Sequence, residues 1–94
     1  IMKNNVLIIN TARGNLVSEI DLNDAIKNNR IGGVALDVFE EEPAKNCILF
    51  GLENVLLTPH IAASTAEAQV IVAEMIANQF VDFFLKNKVN NSVI

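Results

Sequence analysis

Val6-Leu7-Ile8-Ile9 is an uninterrupted apolar run closed by Asn10-Thr11. Such a run is too short for a helix and has no polar face, so it suits a strand buried on both sides, as in a parallel sheet. A second run of the same kind, Val34-Ala35-Leu36-Asp37-Val38-Phe39, lies one helix-length downstream. Between them Arg13-Gly14-Asn15 turns the chain, Ser18 can cap a helix with Asp21 three residues on, and Val17 can staple onto Leu22. Leu22, Ala25 and Ile26 then make one apolar face, and the helix is expected to run to about Asn29 before Gly32-Gly33 ends it. Strand, crossover helix and strand form a β-α-β unit with parallel neighbours.

Asn54-Val55-Leu56-Leu57-Thr58 reads as a third strand, halted by Pro59, which has no N–H to give to a ladder. Beyond it Ser64-Thr65-Ala66-Glu67 has the form of a capping box, with Ser64 as the cap, and a long helix is expected over 65–86. Its polar residues Glu67, Glu74, Asn78, Asp82 and Lys86 fall on one narrow stripe. The rest of its circumference, including Val70, Ile71, Met75, Ile76, Phe80 and Phe84, is apolar and exceeds what three strands and one short helix can cover, so part of it is expected to meet a partner. The expected fold class is α/β: three parallel strands, a crossover helix and a long C-terminal helix.

The chain has 94 residues, enough for one domain or part of one. A chain of this size buries roughly 60 to 65% of its unfolded surface, so a large ligand site would have to be shared with other residues. With 7 basic and 11 acidic residues the net charge is -4, and the bases are scattered rather than striped, which argues against nucleic acid as a partner. Cys47 is the single cysteine, so an intrachain disulfide is impossible and a reducing, cytoplasmic setting is expected. Glu67, Glu74 and Asp82 interrupt the longest apolar stretch, and no membrane partner is expected. Ile1 precedes Met2 and the first strand has no upstream partner, so the chain is expected to be a fragment.

Arg13, Glu42 and His60 each follow the carboxyl end of an expected strand, the edge of a parallel α/β sheet where ligands bind. A base, an acid and an imidazole at one rim suit proton transfer beside a bound anion. His60, the single histidine, admits two readings: a surface or capping residue, or a general acid–base whose tautomer a carboxylate sets. Glu42 is the candidate carboxylate, distinguished from Glu40 and Glu41, which read as a solvated acidic loop, by standing before Pro43. Asp37 is a lone acid within an apolar strand and must find donors, which a ligand amide would supply. Arg13, on an Arg-Gly turn, either forms a structural salt bridge or holds a substrate carboxylate through two parallel hydrogen bonds. Cys47 reads as structural or exposed rather than nucleophilic, and one histidine is too few for a metal site.

Asn10-Thr11-Ala12-Arg13-Gly14, Ala35-Leu36-Asp37-Val38-Phe39-Glu40-Glu41-Glu42-Pro43 and Thr58-Pro59-His60-Ile61, in that order, resemble the signature blocks of the D-2-hydroxyacid dehydrogenase family. Ser64-Thr65-Ala66-Glu67-Ala68-Gln69 and Lys86-Asn87-Lys88-Val89-Asn90-Asn91 are similar to its phosphoglycerate-oxidising members. The resemblance implies the second half of a Rossmann-type NAD-binding domain. It also implies that His60 is the proton donor or acceptor, that Glu42 pairs with it and that Arg13 binds the substrate carboxylate. Asp37 would contact the nicotinamide end of NAD, with Thr11, Ala12, Arg13, His60 and Ala62 completing the cofactor contacts. Where the family usually carries glycine after the histidine, this chain has Ile61-Ala62-Ala63.

The resemblance further implies oxidation of 3-phosphoglycerate for serine synthesis by a parent protein that is a homo-oligomer acting on a small 2-hydroxy or 2-keto acid. The Gly-rich phosphate loop and the substrate domain fall outside these residues, so the chain alone is expected to be inactive. Three alternatives stay open: a glyoxylate, hydroxypyruvate or lactate reductase with the same site residues, an NAD-sensing corepressor of the same fold, and an assembly module that pairs through the long helix.

Overall fold

A computed structural model of the chain describes residues 1–93. These divide into two compact units, Ile1–Ile61 and a second beginning at Ala62.

The first unit holds β1 (Leu7–Asn10), a single 3-10 turn (Gly14–Leu16), α1 (Glu19–Lys27), β2 (Gly33–Leu36) and β3 (Val55–Leu57). The strands form one parallel sheet in the order β1-β2-β3. All three expected strands are present: β1 is shifted by one residue, β2 begins one residue earlier and stops three earlier, and β3 loses one residue at each end. The ladder nevertheless continues past their limits, for Asp37 N–H donates to Asn10 O and Thr58 N–H to Leu36 O. Ser18 caps α1 as expected, its Oγ accepting the Asp21 N–H at 3.3 Å, with Glu19 and Asp21 in the first turn and Lys27 in the last, the charge order that suits the helix dipole. The helix ends two residues before Asn29, where Asn29 turns left-handed at φ 50°.

The pairings Ile8↔Val34↔Val55 and Asn10↔Leu36↔Leu57 set one face of the sheet, while Ile9↔Ala35↔Leu56 sets the other. The first face is packed: Leu22 of α1, Ile31, Val34, Leu36, Phe39 and Leu49 form the core, with Ile8, Val55 and Leu57 against it. On the second face Leu7, Ile9 and Leu56 are each about two-thirds exposed. This overturns the expectation that β1 is buried on both sides. Within the first unit α1 and the irregular stretch after β2 lie on the same face, and an apolar run in sequence says nothing about whether both its faces find cover. The stretch between β2 and β3 is ordered by Leu49, whose side chain is fully buried.

The second unit is built on α2 (Ala66–Lys86). Its cap is Thr65, whose Oγ1 accepts the Ala68 N–H at 3.1 Å, and not Ser64 as the capping-box pattern suggested. Thr65 takes the extended geometry of a cap (φ -76°, ψ 152°), which leaves Glu67 in the first turn, facing the positive end of the dipole, without closing the box. At the other end Asn87 is left-handed, and Asp82 accepts from Lys86 Nζ and Asn90 Nδ2, both at 2.7 Å. No described residue of α2 is buried. By length and composition alone this helix could cross a membrane.

Candidate active site

The site is assembled from the carboxyl ends of the three strands. After β1, Asn10 organises the turn: its Oδ1 accepts the Ala12 N–H at 3.0 Å and its Nδ2 donates to Arg13 O at 2.8 Å. Thr11, Ala12 and Arg13 are exposed on this turn. Gly14 follows because nothing larger fits, since a Cβ there would stand 1.8 Å from Phe39 O. Contact with the segment after β2 therefore dictates Gly14, and the exposed Arg13 precedes it on the turn.

After β2, Asp37 is 4% exposed, and a carboxylate so buried needs donors. Its Oδ1 accepts from Thr58 Oγ1 at 2.6 Å and from Ile61 N–H at 2.9 Å. These donors, which the sequence alone assigns to a ligand amide, come from the chain itself.

Farther along the same segment Glu42 uses both oxygens: Oε1 accepts the Phe39 N–H at 3.0 Å, and Oε2 lies 2.6 Å from His60 Nδ1. The bond to His60, followed by that to Phe39, holds the Glu42 carboxyl below its usual range, and the nearby charge of Arg13 acts in the same direction. Because an ionised carboxylate only accepts, Nδ1 carries the hydrogen and Nε2 is the nitrogen left to exchange a proton. The pair is partly open to solvent, with side-chain exposures of 47% for His60 and 35% for Glu42. Beside it lies a cavity of about 470 Å³ whose walls include Phe39, Pro43, Phe50, Leu57 and Pro59.

The structure thus brings Glu42 to His60, and Asp37 to the Thr58 hydroxyl before His60 and the Ile61 N–H after it. Arg13 is not bonded to them; its guanidinium donates to Ala12 O at 2.6 Å and reaches Glu42 through charge alone. Ala62 opens the second unit. Glu40 is exposed, as expected of a solvated loop, but it is also tied down: its Oε1 accepts the Glu19 N–H, and the Glu19 Oε1 accepts the Glu40 N–H, both at 2.8 Å. Cys47 Sγ lies 3.5 Å from Glu19 Oε2 and its thiol is pushed up by burial, the opposite of what a nucleophile needs. Sequence places Thr58 at a strand end and in the Thr58-Pro59-His60-Ile61 block, without assigning its hydroxyl a partner. The signal for that partner is a hydroxyl directly before Pro59-His60, at the end of the strand beside the one that leads into Asp37.

Residues 1–62 match the model of the D-isomer specific 2-hydroxyacid dehydrogenase NAD binding domain. The chain is 45% identical over 93 residues to a D-3-phosphoglycerate dehydrogenase of Archaeoglobus fulgidus, covering 98% of this chain and 18% of the relative. It is 46% identical over 83 residues to a glyoxylate reductase of Pyrococcus furiosus, covering 88% and 25%. Among solved structures it is similar to an acyclic imino acid reductase in complex with NADPH and D-Arg, at a TM-score of 0.68 and 34% identity, over 99% of this chain and 29% of the other. The chain therefore spans less than a third of the length of these proteins.

Proposed function

Because this chain belongs to the D-isomer specific 2-hydroxyacid dehydrogenases through their NAD-binding domain, we propose that it is the proton-transfer part of a dehydrogenase that oxidises 3-phosphoglycerate to 3-phosphohydroxypyruvate with NAD. The observation that carries this reading is the 2.6 Å contact between His60 Nδ1 and Glu42 Oε2 at the carboxyl edge of the sheet. An imidazole with Nδ1–H committed to a carboxylate presents Nε2 as base, and a positioned base of this kind contributes about 10²–10⁴-fold to rate.

In the direction of oxidation, His60 Nε2 takes the proton of the substrate C2 hydroxyl, and Glu42 stabilises the imidazolium that forms. Arg13 releases Ala12 O to hold the substrate carboxylate in two parallel hydrogen bonds. The dinucleotide, when bound, supplies the acceptor for the hydride leaving C2. Thr11 and Ala12, exposed on the turn after β1, are the residues that would meet one end of it, whereas the buried Asp37 has its Oδ1 bonded to Thr58 and Ile61. A pyrophosphate cradle needs other residues, for Gly14, Gly32, Gly33 and Gly51 have no Gly-x-Gly-x-x-Gly spacing. The 94-residue chain by itself is accordingly expected to turn over nothing. Its parent is read as a cytoplasmic homo-oligomer, supported by the single unpaired Cys47 and by the apolar surface of α2.

A second reading, a glyoxylate reductase, rests on the 46% identity to the Pyrococcus furiosus protein of that name. NADH and NADPH oxidation by the intact protein, with 3-phosphohydroxypyruvate beside glyoxylate and each repeated with His60→Ala, separates the two. Preference for the phosphorylated keto acid with NADH, lost in the variant, is the expected result. Preference for glyoxylate installs the second reading, and turnover unaffected by His60→Ala removes both.

A further inference from the structure

His60 has a backbone φ of 55°, in the left-handed region that a side chain with a Cβ disfavours. Something must hold it there, and the restraints lie on both sides of the residue. Upstream, Thr58 is anchored to the sheet by its N–H to Leu36 O at 2.9 Å, and its Oγ1 donates to Asp37 Oδ1 at 2.6 Å. Downstream, Ile61 N–H donates to the same Oδ1 at 2.9 Å. Within this loop His60 N–H donates to Thr58 O at 3.1 Å, and Pro59 has its φ fixed by its ring. One buried carboxylate oxygen therefore closes the Pro59-His60 turn like a clasp, with the Thr58 hydroxyl as one arm and the Ile61 N–H as another.

We propose that Thr58 is a positioning residue for proton transfer: through Asp37 its hydroxyl holds His60 in the left-handed conformation from which Nδ1 reaches Glu42. The alternative role for that hydroxyl, satisfying a buried acid for the sake of stability, predicts a different outcome when it is removed. If the clasp orients the imidazole, losing one arm displaces Nε2 from the reacting proton, and a displacement of about 1 Å at a reacting centre costs on the order of 10²-fold in rate. Substrate binding through Arg13 is left in place.

This proposal rests on the reading of His60 as the proton-transfer residue, and the test separates the two. In the intact protein, kcat and KM for keto-acid reduction are measured for Thr58→Val, Thr58→Ser, His60→Ala and the unaltered protein, with thermal midpoints recorded for each. The expected result is a kcat for Thr58→Val lowered about 10- to 100-fold at nearly unchanged KM, with Thr58→Ser, which keeps the hydroxyl, within about threefold of the unaltered protein. The Nδ1 proton resonance of His60, identified by its loss in His60→Ala, should weaken in Thr58→Val and persist in Thr58→Ser. A Thr58→Val protein that melts earlier but keeps its kcat overturns the proposal. So does a Thr58→Ser protein with a large loss of kcat, a result that stands even if the valine variant fails to fold, because the methyl group and not the hydroxyl would then matter. If His60→Ala retains kcat, the proton-transfer reading itself falls and takes this proposal with it.

Discussion

Glu19 and Glu40 exchange hydrogen bonds, each carboxylate accepting the backbone N–H of the other at 2.8 Å across 21 residues of sequence. The exchange ties the first turn of α1 to the segment leaving β2, two residues before Glu42. It also places a second acidic acceptor at the helix N-terminus, beside the Ser18 cap, where the dipole favours negative charge.

Glu40→Ala should therefore act as the loss of a helix cap, lowering stability by about 1 kcal/mol. Glu41→Ala, on the neighbouring exposed residue, should change it by less than about 0.5 kcal/mol. Urea midpoints of the two variants, measured side by side, check the difference; equal effects would mean that the exchange contributes nothing.

The bond from His60 lowers the Glu42 pKa from its ordinary value of 4.5. A carboxyl whose folded value is depressed adds stability that is complete above its unfolded value and lost as pH falls through the folded one. The stability advantage of the unaltered chain over Glu42→Gln should accordingly be constant above about pH 5 and shrink steadily below pH 4.5. Denaturation midpoints of both proteins between pH 3 and pH 7 test this, and a difference independent of pH would show that the carboxylate charge is not what matters.

Gly14→Ala places a Cβ 1.8 Å from Phe39 O, backbone that cannot yield without moving the segment that carries Glu42. We expect a loss of about 3 kcal/mol or more, the upper range for overpacking. Gly51→Ala meets no atom within 4 Å and is strained only by its φ of 77°, so it should cost less. Thermal midpoints of the pair rank them, and a milder Gly14→Ala would contradict the close approach.

Burial pushes the Cys47 thiol up, and the Glu19 carboxylate beside it acts in the same direction. At pH 8 the folded chain should react with a disulfide reagent several-fold more slowly than the urea-unfolded chain, because less of the thiol is ionised. Equal rates would show Cys47 to be an ordinary exposed thiol.

Local sequence was enough to determine the strands, the helices and the Ser18 cap, and to mark Arg13, Glu42 and His60 as candidates beyond the strand ends, because periodicity, capping and proline act within a few residues. What remained undetermined was long-range. Only the fold decided that Leu7, Ile9 and Leu56 lie on an open face, since cover depends on where α1 and Leu49 pack and not on the apolarity of the run. It likewise separated Glu40 from Glu41, giving the first a helix N–H although both are exposed and chemically identical neighbours. Thr58 meets Asp37 across 21 residues, and His60 meets Glu42 across 18. Adjacent parallel strands bring their carboxyl ends together, and a hydrogen bond formed there depends on the register between strands, which no pattern within one strand encodes.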